Sequence, residues 1–517
     1  MNTRMISRRA LVAALSVTLA ACGGIRVRND AALQELRKSP GNAPQRNVTD
    51  FSAGLRCMDE TLFAFGTRDV VMLVEELQDQ THQLGAGTRE MMVSAISDMT
   101  RRSRAVRLVT FGQDNQTIVS LLQQLEKRTP FGVLPQYDIR GAVTQFDQDV
   151  LRRDASLGGT LTAVFSANAA ANSAFSVLGF DASVIRVPDL TLIPGVTSKN
   201  TVVVARDSKG LDNGQAILQK GLINFSMSVN RQSGVAQALR NMVELASIEL
   251  VGKLTRVPYW NCLGLPKDSP ETKREVDDWF LSMRDAADVN KFYQEQLRVR
   301  KFFDGPLDGK PSEALDQALA AYKTGLRLPA DAPTDARFFA QFLASPVPPA
   351  PPAPFTVKGG GDKPADAGDG SAATPARDEP ATLSVIPLKP MYKVNDEIEL
   401  AIEANRAGYL YCYTQAAAGP VKRVFPNREV RDPRIEPKQT LLLPLAGGFK
   451  MVAEKAGVMK FACVHAPREI YNDLPPPLRW GDFEDIKLSS FAEIRDAFQK
   501  TAKATVLLDE ATVQVTP

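Results

Sequence analysis

The chain has 517 residues, of which 44% are hydrophobic and 23% are charged. This length allows several domains, and the composition is ordinary for packed globular structure. The 62 basic and 59 acidic residues nearly cancel, so overall electrostatics favour neither a nucleic-acid partner nor a strongly acidic one.

The N-terminus has the pattern of a secretion signal. Arginines precede an apolar run that is too short to span a bilayer. The run ends in "LAAC" at Cys22, which resembles the bacterial lipobox and implies cleavage before Cys22 and lipidation of its thiol. We therefore predict a signal peptide over 1–21 and a lipidated tether over 22–44, and Gly23 after the cysteine implies an outer-membrane anchor. The alternative is an ordinary signal peptide with an accidental cysteine.

The remaining cysteines predict two disulfides. Five cysteines minus a lipidated Cys22 leave an even number, which agrees with an oxidising periplasm. Cys57 and Cys262 flank one candidate domain, whereas Cys412 and Cys463 lie on strand-like runs of another. The disulfide candidates are these two pairs, and buried free thiols are the alternative.

An α/β domain is predicted over residues 45–263. The apolar run Val70–Leu77 predicts a strand, and apolar residues at helical spacing in 91–99 predict a helix after it. The segments "AVRLVTF" and "QTIVSLLQQLEKR" repeat the strand and helix order. Helical spacing from Val235 to Leu254 predicts a long amphipathic helix that closes the domain. Alternating strands and helices indicate helices packed on a sheet.

Two hairpins are predicted within this domain. Residues 155–180 carry no charged side chain, and their alternation favours a hairpin over a helix. A second hairpin would pair 201–207 with 216–230 across the turn-rich "SKGLDNG". In its last strand, "KGLINFSMSVNRQ", apolar and polar residues alternate. Such a strand can cover a soluble core or face lipid in a membrane barrel, so the alternation leaves both open.

The second half of the chain divides into three regions. Residues 270–344 are predicted to form a small helical module. Residues 345–381 are a Pro/Gly/Ala-rich linker that cannot form a core. Strand-rich segments over 382–517 predict a small β-sandwich.

Residues 45–263 resemble the curli secretion channel family (CsgG and HfaB), outer-membrane lipoproteins that assemble into ring-shaped pores and export fibre subunits. The likeness depends on the lipobox and on "ELQDQT", "IRGAVTQFDQDV", "GVTSKNTVVV" and "GLINFSMSVNRQSG" in this order. In that family each subunit contributes two hairpins to one shared barrel. The resemblance implies a lipid-facing set, Ile223, Phe225, Met227 and Val229. It implies a lumen-facing set, Asn224, Ser226, Ser228 and Asn230.

Strands in a membrane would require a homo-oligomer. A single subunit cannot close such a barrel and would leave strand edges unpaired in lipid. The predicted fold class is α+β multidomain: an α/β periplasmic domain with two β-hairpins that form part of an oligomeric transmembrane β-barrel, a small helical module and a C-terminal β-sandwich. The implied partners are further copies in a ring, the outer membrane and secreted fibre or adhesin subunits.

The resemblance also places a pore constriction in the loop after the first strand. In curli channels this loop carries aromatic and amide side chains, but the matching segment His82–Met92 has no aromatic residue. Gln83 and Leu84 are therefore the candidate constriction residues.

Two further resemblances concern the second half. Val299–Leu328 resembles a peptidoglycan-binding-like helical module, with its F-x-G-x-x-D-G turn at Phe303–Gly309 and Tyr322-Lys323 in place of Phe-Gln. This implies peptidoglycan as a partner. The C-terminal region resembles an uncharacterised β domain of bacterial lipoproteins, with "GYLY" and "FPN" as its marks.

No enzyme activity, cofactor or metal site is predicted. The sequence has only two histidines and lacks the common hydrolase and nucleotide-binding motifs. The first function hypothesis is a lipid-anchored ring pore in the cell outer membrane, with periplasmic domains, that secretes or anchors surface fibre or adhesin subunits. The alternative is a non-pore periplasmic lipoprotein scaffold associated with the cell wall. The pore is favoured because the hairpins lack charges where lipid would be and lack the large aliphatics that a soluble sandwich core would use.

Overall fold

The structure is a computed structural model that divides into three modules. We call them the α/β module (51–265), the helical module (266–348) and the C-terminal module (380–517). The described residues are 51–85, 87–109, 120, 124, 134–148, 173–207, 213–220, 223–230, 234–348, 380–416, 419–444 and 449–517. Strand residues 173–175, 205–207, 213–220 and 223–230 are described by their backbone pairing alone. The mixed α+β, multidomain architecture agrees with the sequence prediction.

One mixed sheet forms the α/β module. Its strands are β1 (Val70–Val74), β2 (Gln78–Asp79), β3 (Val106–Val109), β4 (Tyr137–Asp147), β5 (Ser173–Arg186), β6 (Thr191–Asp207), β7 (Asn213–Lys220) and β8 (Ile223–Asn230). The strand order is β3-β1-β4-β5-β6-β7-β8, and β2 pairs with β4. The first three strands of this order are parallel, whereas β4 to β8 are antiparallel. A parallel half therefore continues into an antiparallel ribbon.

Four helices whose bounds lie in the described part of the chain accompany this sheet: α1 (Ser52–Ala64), α2 (Thr88–Asp98), α3 (Gly234–Thr255) and α4 (Tyr259–Cys262). The long helix predicted over Val235–Leu254 is α3, and all of its residues from Asn241 to Gly252 are buried. A helix buried all round lies inside a core rather than on a surface. No helix in the described part of the chain combines the length and apolarity needed to cross a bilayer.

The predicted hairpins differ from the observed strand pairing. Residues 216–230 were expected to be one strand, but the chain reverses between β7 and β8, which pair from Asn213–Asn230 to Lys220–Ile223. The alternation continues through this segment, so it did not reveal the reversal between Lys220 and Ile223. Strand β5 pairs with β4 and β6, so its hairpin is not contained in 155–180. Residues 155–172 lie outside the described residues.

The helical module contains α5 (Pro270–Leu281), α6 (Ala286–Val299), α7 (Glu313–Gly325) and α8 (Ala336–Ala344). Each helix begins after a side chain that accepts a backbone N–H hydrogen bond; these caps are Ser269, Asp285, Ser312 and Asp335. Such caps satisfy donors that the first helical turn leaves free. The module shares a hydrophobic core with the α/β module, and the Trp260 and Trp279 ring centroids lie 5.2 Å apart across this boundary.

In its described residues the C-terminal module consists of two sheets, one α-helix and two short 3-10 helices, Tyr471–Asp473 and Pro476–Arg479. Its elements are β9 (Leu383–Pro387), β10 (Met391–Lys393), β11 (Leu400–Ala404), β12 (Gly408–Gln415), β13 (Val421–Phe425), β14 (Arg434–Ile435), β15 (Leu441–Leu443), β16 (Gly457–Ala466), β17 (Asp485–Ile486), α9 (Phe491–Ala502) and β18 (Leu507–Thr516). The larger sheet has the order β10-β18-β16-β12-β13-β17, with β14 on β12, and the smaller has the order β15-β11-β9.

The predicted β-sandwich is thus only part of this module. Leu410 and Cys412 of β12 lie in the core shared by the two sheets. Tyr411 and Tyr413 lie in a second core, where α9 contributes Phe498. Helix α9 was not predicted, and it gives the larger sheet a second covered face.

Candidate functional site

The candidate site is the antiparallel ribbon formed by β5, β6, β7 and β8. Strand β6 pairs with β7 from Thr201–Gln219 to Ala205–Gln215, and β7 in turn pairs with β8. Within the described residues β8 pairs on one side only. The first residues of β5, before Val177, pair with β6 but not with β4. Within the described residues the ribbon therefore has one open backbone edge at each side.

Strand β8 contains both sets of residues assigned from the resemblance. Its bounds, Ile223–Asn230, include Ile223, Phe225, Met227 and Val229 and also Asn224, Ser226, Ser228 and Asn230. The structure therefore places all eight on one strand next to β7. Which set faces lipid and which faces water stays a prediction.

Helix α3 covers one face of the ribbon where the ribbon leaves the sheet. Val202 and Val204 of β6 are buried, and they belong to the same hydrophobic core as Leu239 and Met242 of α3. Leu178 of β5 is fully buried in that core too. Where α3 covers it, this face of the ribbon is thus buried in the core of the protein.

The predicted constriction loop is held by the carboxylate of Asp79. Strand β2 pairs with Ala142–Val143 of β4, which places the loop beside the middle of the sheet. Asp79 Oδ1 accepts hydrogen bonds from the backbone N–H and hydroxyl of Thr81, at 2.9 and 2.5 Å. Asp79 Oδ2 accepts from the backbone N–H groups of Gln83 and Leu84, at 2.9 and 2.5 Å. Slight burial acts to raise the pKa of Asp79, but these hydrogen bonds outweigh it and lower that pKa.

The two candidate constriction residues differ in exposure. Gln83 is exposed, whereas Leu84 is half-buried and packs against the core of the α/β module. Leu84 is therefore turned inward, and Gln83 is the one that the loop presents to solvent.

A carboxyl pair that the sequence did not indicate lies at β4 and the end of the neighbouring strand β1. Asp138 on β4 is 3% exposed, and its Oδ1 has no hydrogen-bond partner in the described part of the chain. Burial and then the charge of neighbouring Glu75 raise the pKa of Asp138 to about 7. Arg140 Nε donates to Glu75 Oε2 at 2.8 Å. The pair arises from pairing of the parallel strands β1 and β4, so no spacing along the sequence could have shown it.

The peptidoglycan-binding-like turn has an internal structural role. Gln294 Oε1 accepts from the backbone N–H of Gly309 at 2.8 Å, and Gln294 Nε2 donates to Asp308 Oδ1 at 3.2 Å. Gly309 has φ +72°, and a Cβ there would lie 2.7 Å from the carbonyl oxygen of Ala287. Glycine is therefore required at this turn whether or not the module binds a ligand.

The residues that replace the module's usual Phe-Gln are also used internally. Tyr322 is fully buried, and its hydroxyl accepts a hydrogen bond from Arg300 Nη1 at 3.0 Å. Lys323 Nζ donates to the Ala332 carbonyl at 2.7 Å. Both side chains fix the helical module rather than face solvent.

The four candidate cysteines form two disulfides in the structure. One joins Cys57 of α1 to Cys262 of α4, and the other joins Cys412 to Cys463 across neighbouring strands. Cys22 lies outside the described residues, so its lipidation stays a prediction.

Comparison with known proteins gives one family match. Residues 391–469 match a domain of unknown function (DUF4384). The match includes the "GYLY" segment of β12 and the "FPN" segment that begins at the last residue of β13. No curated protein matches the chain.

Two solved structures are similar to parts of the chain. A PelC dodecamer from Paraburkholderia phytofirmans is 13% identical, covers 36% of this chain and 88% of its own, and has a TM-score of 0.18. A protein of family DUF330 from Xanthomonas campestris is 11% identical, covers 37% of this chain and 85% of its own, and has a TM-score of 0.19. TM-scores this low do not indicate a shared fold.

Proposed function

We propose that the chain is an outer-membrane lipoprotein whose ribbon joins those of neighbouring copies in a ring-shaped pore. The cargo would be surface fibre or adhesin subunits, which the pore secretes or anchors. Lipid on Cys22 would hold each copy at the membrane, with the α/β, helical and C-terminal modules in the periplasm. No catalytic step, cofactor or metal is part of this proposal.

The observation that supports it most is the pair of ribbon edges that are open in the part of the chain that the structure describes. An unpaired strand edge exposes backbone N–H and C=O groups, which favour pairing with another strand. In lipid this pairing becomes obligatory, because no water can satisfy those groups. The β8 edge of one copy can pair with the β5 edge of the next, and a head-to-tail contact of this kind closes into a ring.

The loop after β2 supports the position of a constriction. Its backbone is fixed by Asp79, so the exposed Gln83 side chain is held on a rigid support. An amide at this place agrees with the family's use of amide side chains in the pore. One Gln83 from each copy would form a polar ring.

A second function is supported by α3. Because α3 covers the ribbon up to Val204, the hairpins could instead fold onto the protein, as in a periplasmic scaffold. The helical module, if it binds peptidoglycan, would tie such a scaffold to the cell wall. Co-sedimentation of the full chain with purified sacculi measures that binding directly.

Conductance in planar bilayers tests the pore. We expect the detergent-extracted full chain to form channels, and we expect a charged thiol reagent to reduce the conductance of Gln83→Cys. The matched control is Arg337→Cys, an exposed position in the helical module, where the reagent should have no effect. Absence of channels together with a monomeric mass would overturn the pore and favour the scaffold. Channels that are blocked equally in both variants would remove Gln83 from the constriction.

A further inference from the structure

A cavity of about 300 Å³ lies where the three modules meet. The α/β module contributes Arg68 and Arg256, the helical module contributes Gln296 and Arg298, and the C-terminal module contributes Arg431. Small-molecule sites occur preferentially at such domain boundaries, and this volume is at the lower end of their usual range.

Positive charge is in excess around the cavity. Its cationic lining residues are Arg68, Arg256, Arg298, Lys301 and Arg431, and its acidic ones are Glu295, Glu469 and Asp473. Two of the acids already have partners. Asp473 accepts from Lys301 Nζ at 2.7 Å, and Glu469 Oε1 accepts from the Tyr411 hydroxyl at 2.8 Å.

Two of the arginines lack a direct partner within the described residues, although Glu295 lies close enough to Arg431 for the two charges to interact. Within the described residues the side chains of Arg256 and Arg431 form no hydrogen bond or ion pair, and both are exposed at the cavity. Arg68 differs, because its Nη2 donates to the Arg431 carbonyl at 2.8 Å and its guanidinium stacks on Tyr471. Guanidinium groups without partners can bind carboxylate or phosphate through two parallel hydrogen bonds.

The helical module adds buried polar atoms with unmet hydrogen-bonding capacity. The Arg298 side chain is 5% exposed, and although it pairs with Asp432, its Nε has no partner in the described part of the chain. Gln296 Nε2 donates to the Phe65 carbonyl at 3.4 Å, but the buried Gln296 Oε1 accepts no hydrogen bond there. Buried polar atoms are nearly always paired, and solvent does not reach these two in the present arrangement, so a small side-chain rotation would be needed for a ligand to supply the missing donor and acceptor.

We propose that this cavity binds a small organic anion, with a phosphate or carboxylate group and a neighbouring hydroxyl or amino group. The anionic group would accept hydrogen bonds from Arg256, Arg431 and Arg298 Nε. The neighbouring group would donate to Gln296 Oε1. This site is independent of the proposed pore.

Such a ligand would contact all three modules at once. It would therefore stabilise their packing, because a ligand that binds only the folded arrangement raises stability with its concentration. Since the volume is small, one sugar-sized or glycerol-sized anion fits better than a polymer.

Calorimetric titration and thermal unfolding of the detergent-extracted full chain test the site. The probes are glycerol 3-phosphate, which has both groups, sulfate, which has no donor, and uncharged glycerol, all at constant ionic strength. We expect glycerol 3-phosphate to bind and to raise the unfolding temperature, sulfate to bind more weakly, and glycerol not to bind. Absence of binding by glycerol 3-phosphate at millimolar concentration, or equal binding of glycerol, overturns the proposal.

Three variants test which residues contact the ligand. Arg431→Gln should weaken glycerol 3-phosphate about tenfold, the usual value of one charge-assisted hydrogen bond. Gln296→Leu should weaken glycerol 3-phosphate but leave sulfate unchanged, because sulfate cannot donate. Arg337→Gln removes an exposed arginine away from the cavity and should change neither affinity. Equal weakening by Arg337→Gln, or no weakening by Arg431→Gln, would show that the probe binds elsewhere.

Discussion

Arg423 of the C-terminal module donates through Nη2 to both carboxylate oxygens of Asp69 in the α/β module, at 3.0 and 3.1 Å. The two side chains are 0% and 2% exposed. The backbone N–H of Asp482 donates to Asp69 as well, at 3.1 Å. Burial acts to raise the pKa of Asp69, but the charges of Arg423 and Arg68, together with the hydrogen bonds from Asp482 and Arg423, outweigh it and lower that pKa. A buried ion pair that solvent does not reach thus joins the C-terminal module to the α/β module.

Removal of this buried charge should be costly. In Asp69→Asn the Arg423 guanidinium stays buried without its counter-ion, and we expect a loss of roughly 3 to 5 kcal/mol in the free energy of unfolding. Denaturant titration measures it. The control is Arg495→Gln, which removes an exposed pair with Asp496 and should cost less than about 1 kcal/mol. Similar losses in both variants would contradict the role of the buried pair.

The raised pKa of Asp138 predicts that the protein loses stability as pH rises. Because burial and Glu75 raise the pKa of Asp138 to about 7, the folded protein holds a proton that an unfolded carboxyl releases near pH 4. Stability should therefore fall as pH rises from about 4 to about 7. Asp138→Asn keeps a neutral donor toward Glu75. We expect it to be more stable than wild type above pH 7, on the order of 1 kcal/mol because Glu75 is partly exposed.

The measurement is the difference in unfolding free energy between Asp138→Asn and wild type across pH 5 to 8. Asp189→Asn serves as the control, because hydrogen bonds from Thr191 lower the pKa of that exposed carboxyl. Its difference from wild type should stay constant over this range. A constant difference for Asp138→Asn would contradict the raised pKa.

Patterns of neighbouring residues predicted individual helices and strands. Apolar spacing located α3, and the apolar run at Val70 located β1. The contact between Asp69 and Arg423 joins residues 354 apart, and along the sequence each looks like an ordinary solvated charge. Periodicity cannot show which distant charges meet, because this depends on how whole modules dock.

For the candidate site, too, the sequence predicted local features but not the contacts between distant segments. The alternation in β8 and the loop after β2 were found, since both are local. The pairing of β7 with β8 was missed because polarity alternates on both sides of Gly221. The inward position of Leu84 depends on the core beneath it, which the loop sequence does not contain.

The disulfide between Cys57 and Cys262 should contribute strongly to stability. It closes a loop with a sequence separation of 205 residues, and the chain-entropy model gives about 4 to 5 kcal/mol for such a loop, less any strain. We expect Cys57→Ala combined with Cys262→Ala to lose much of this amount in denaturant titration. Peptide mapping of the wild type without reductant should recover the two cysteines in one linked peptide. Recovery of both as free thiols would rule the disulfide out.

The two faces of β8 should respond differently to charge if the strand crosses the outer membrane. Phe225→Arg would place a guanidinium against lipid, at a cost of roughly 2 to 4 kcal/mol near the midplane of a membrane barrel. Asn224→Arg would place it in the water-filled lumen, where the cost should be much smaller. Ring symmetry repeats the lipid-face penalty in every copy, so Phe225→Arg should fail to assemble. Asn224→Arg should still assemble and should shift conductance toward anions.

Failure of Phe225→Arg alone would not separate the pore from the scaffold, because a soluble core also rejects a buried charge. The decisive measurement is the ion selectivity of Asn224→Arg compared with wild type in planar bilayers. Ser226→Arg and Ser228→Arg, at the next positions of the same parity, should change selectivity in the same direction. A pore whose selectivity ignores all three substitutions would remove the lumen assignment of β8, because a positive charge that lines a water-filled channel must repel cations.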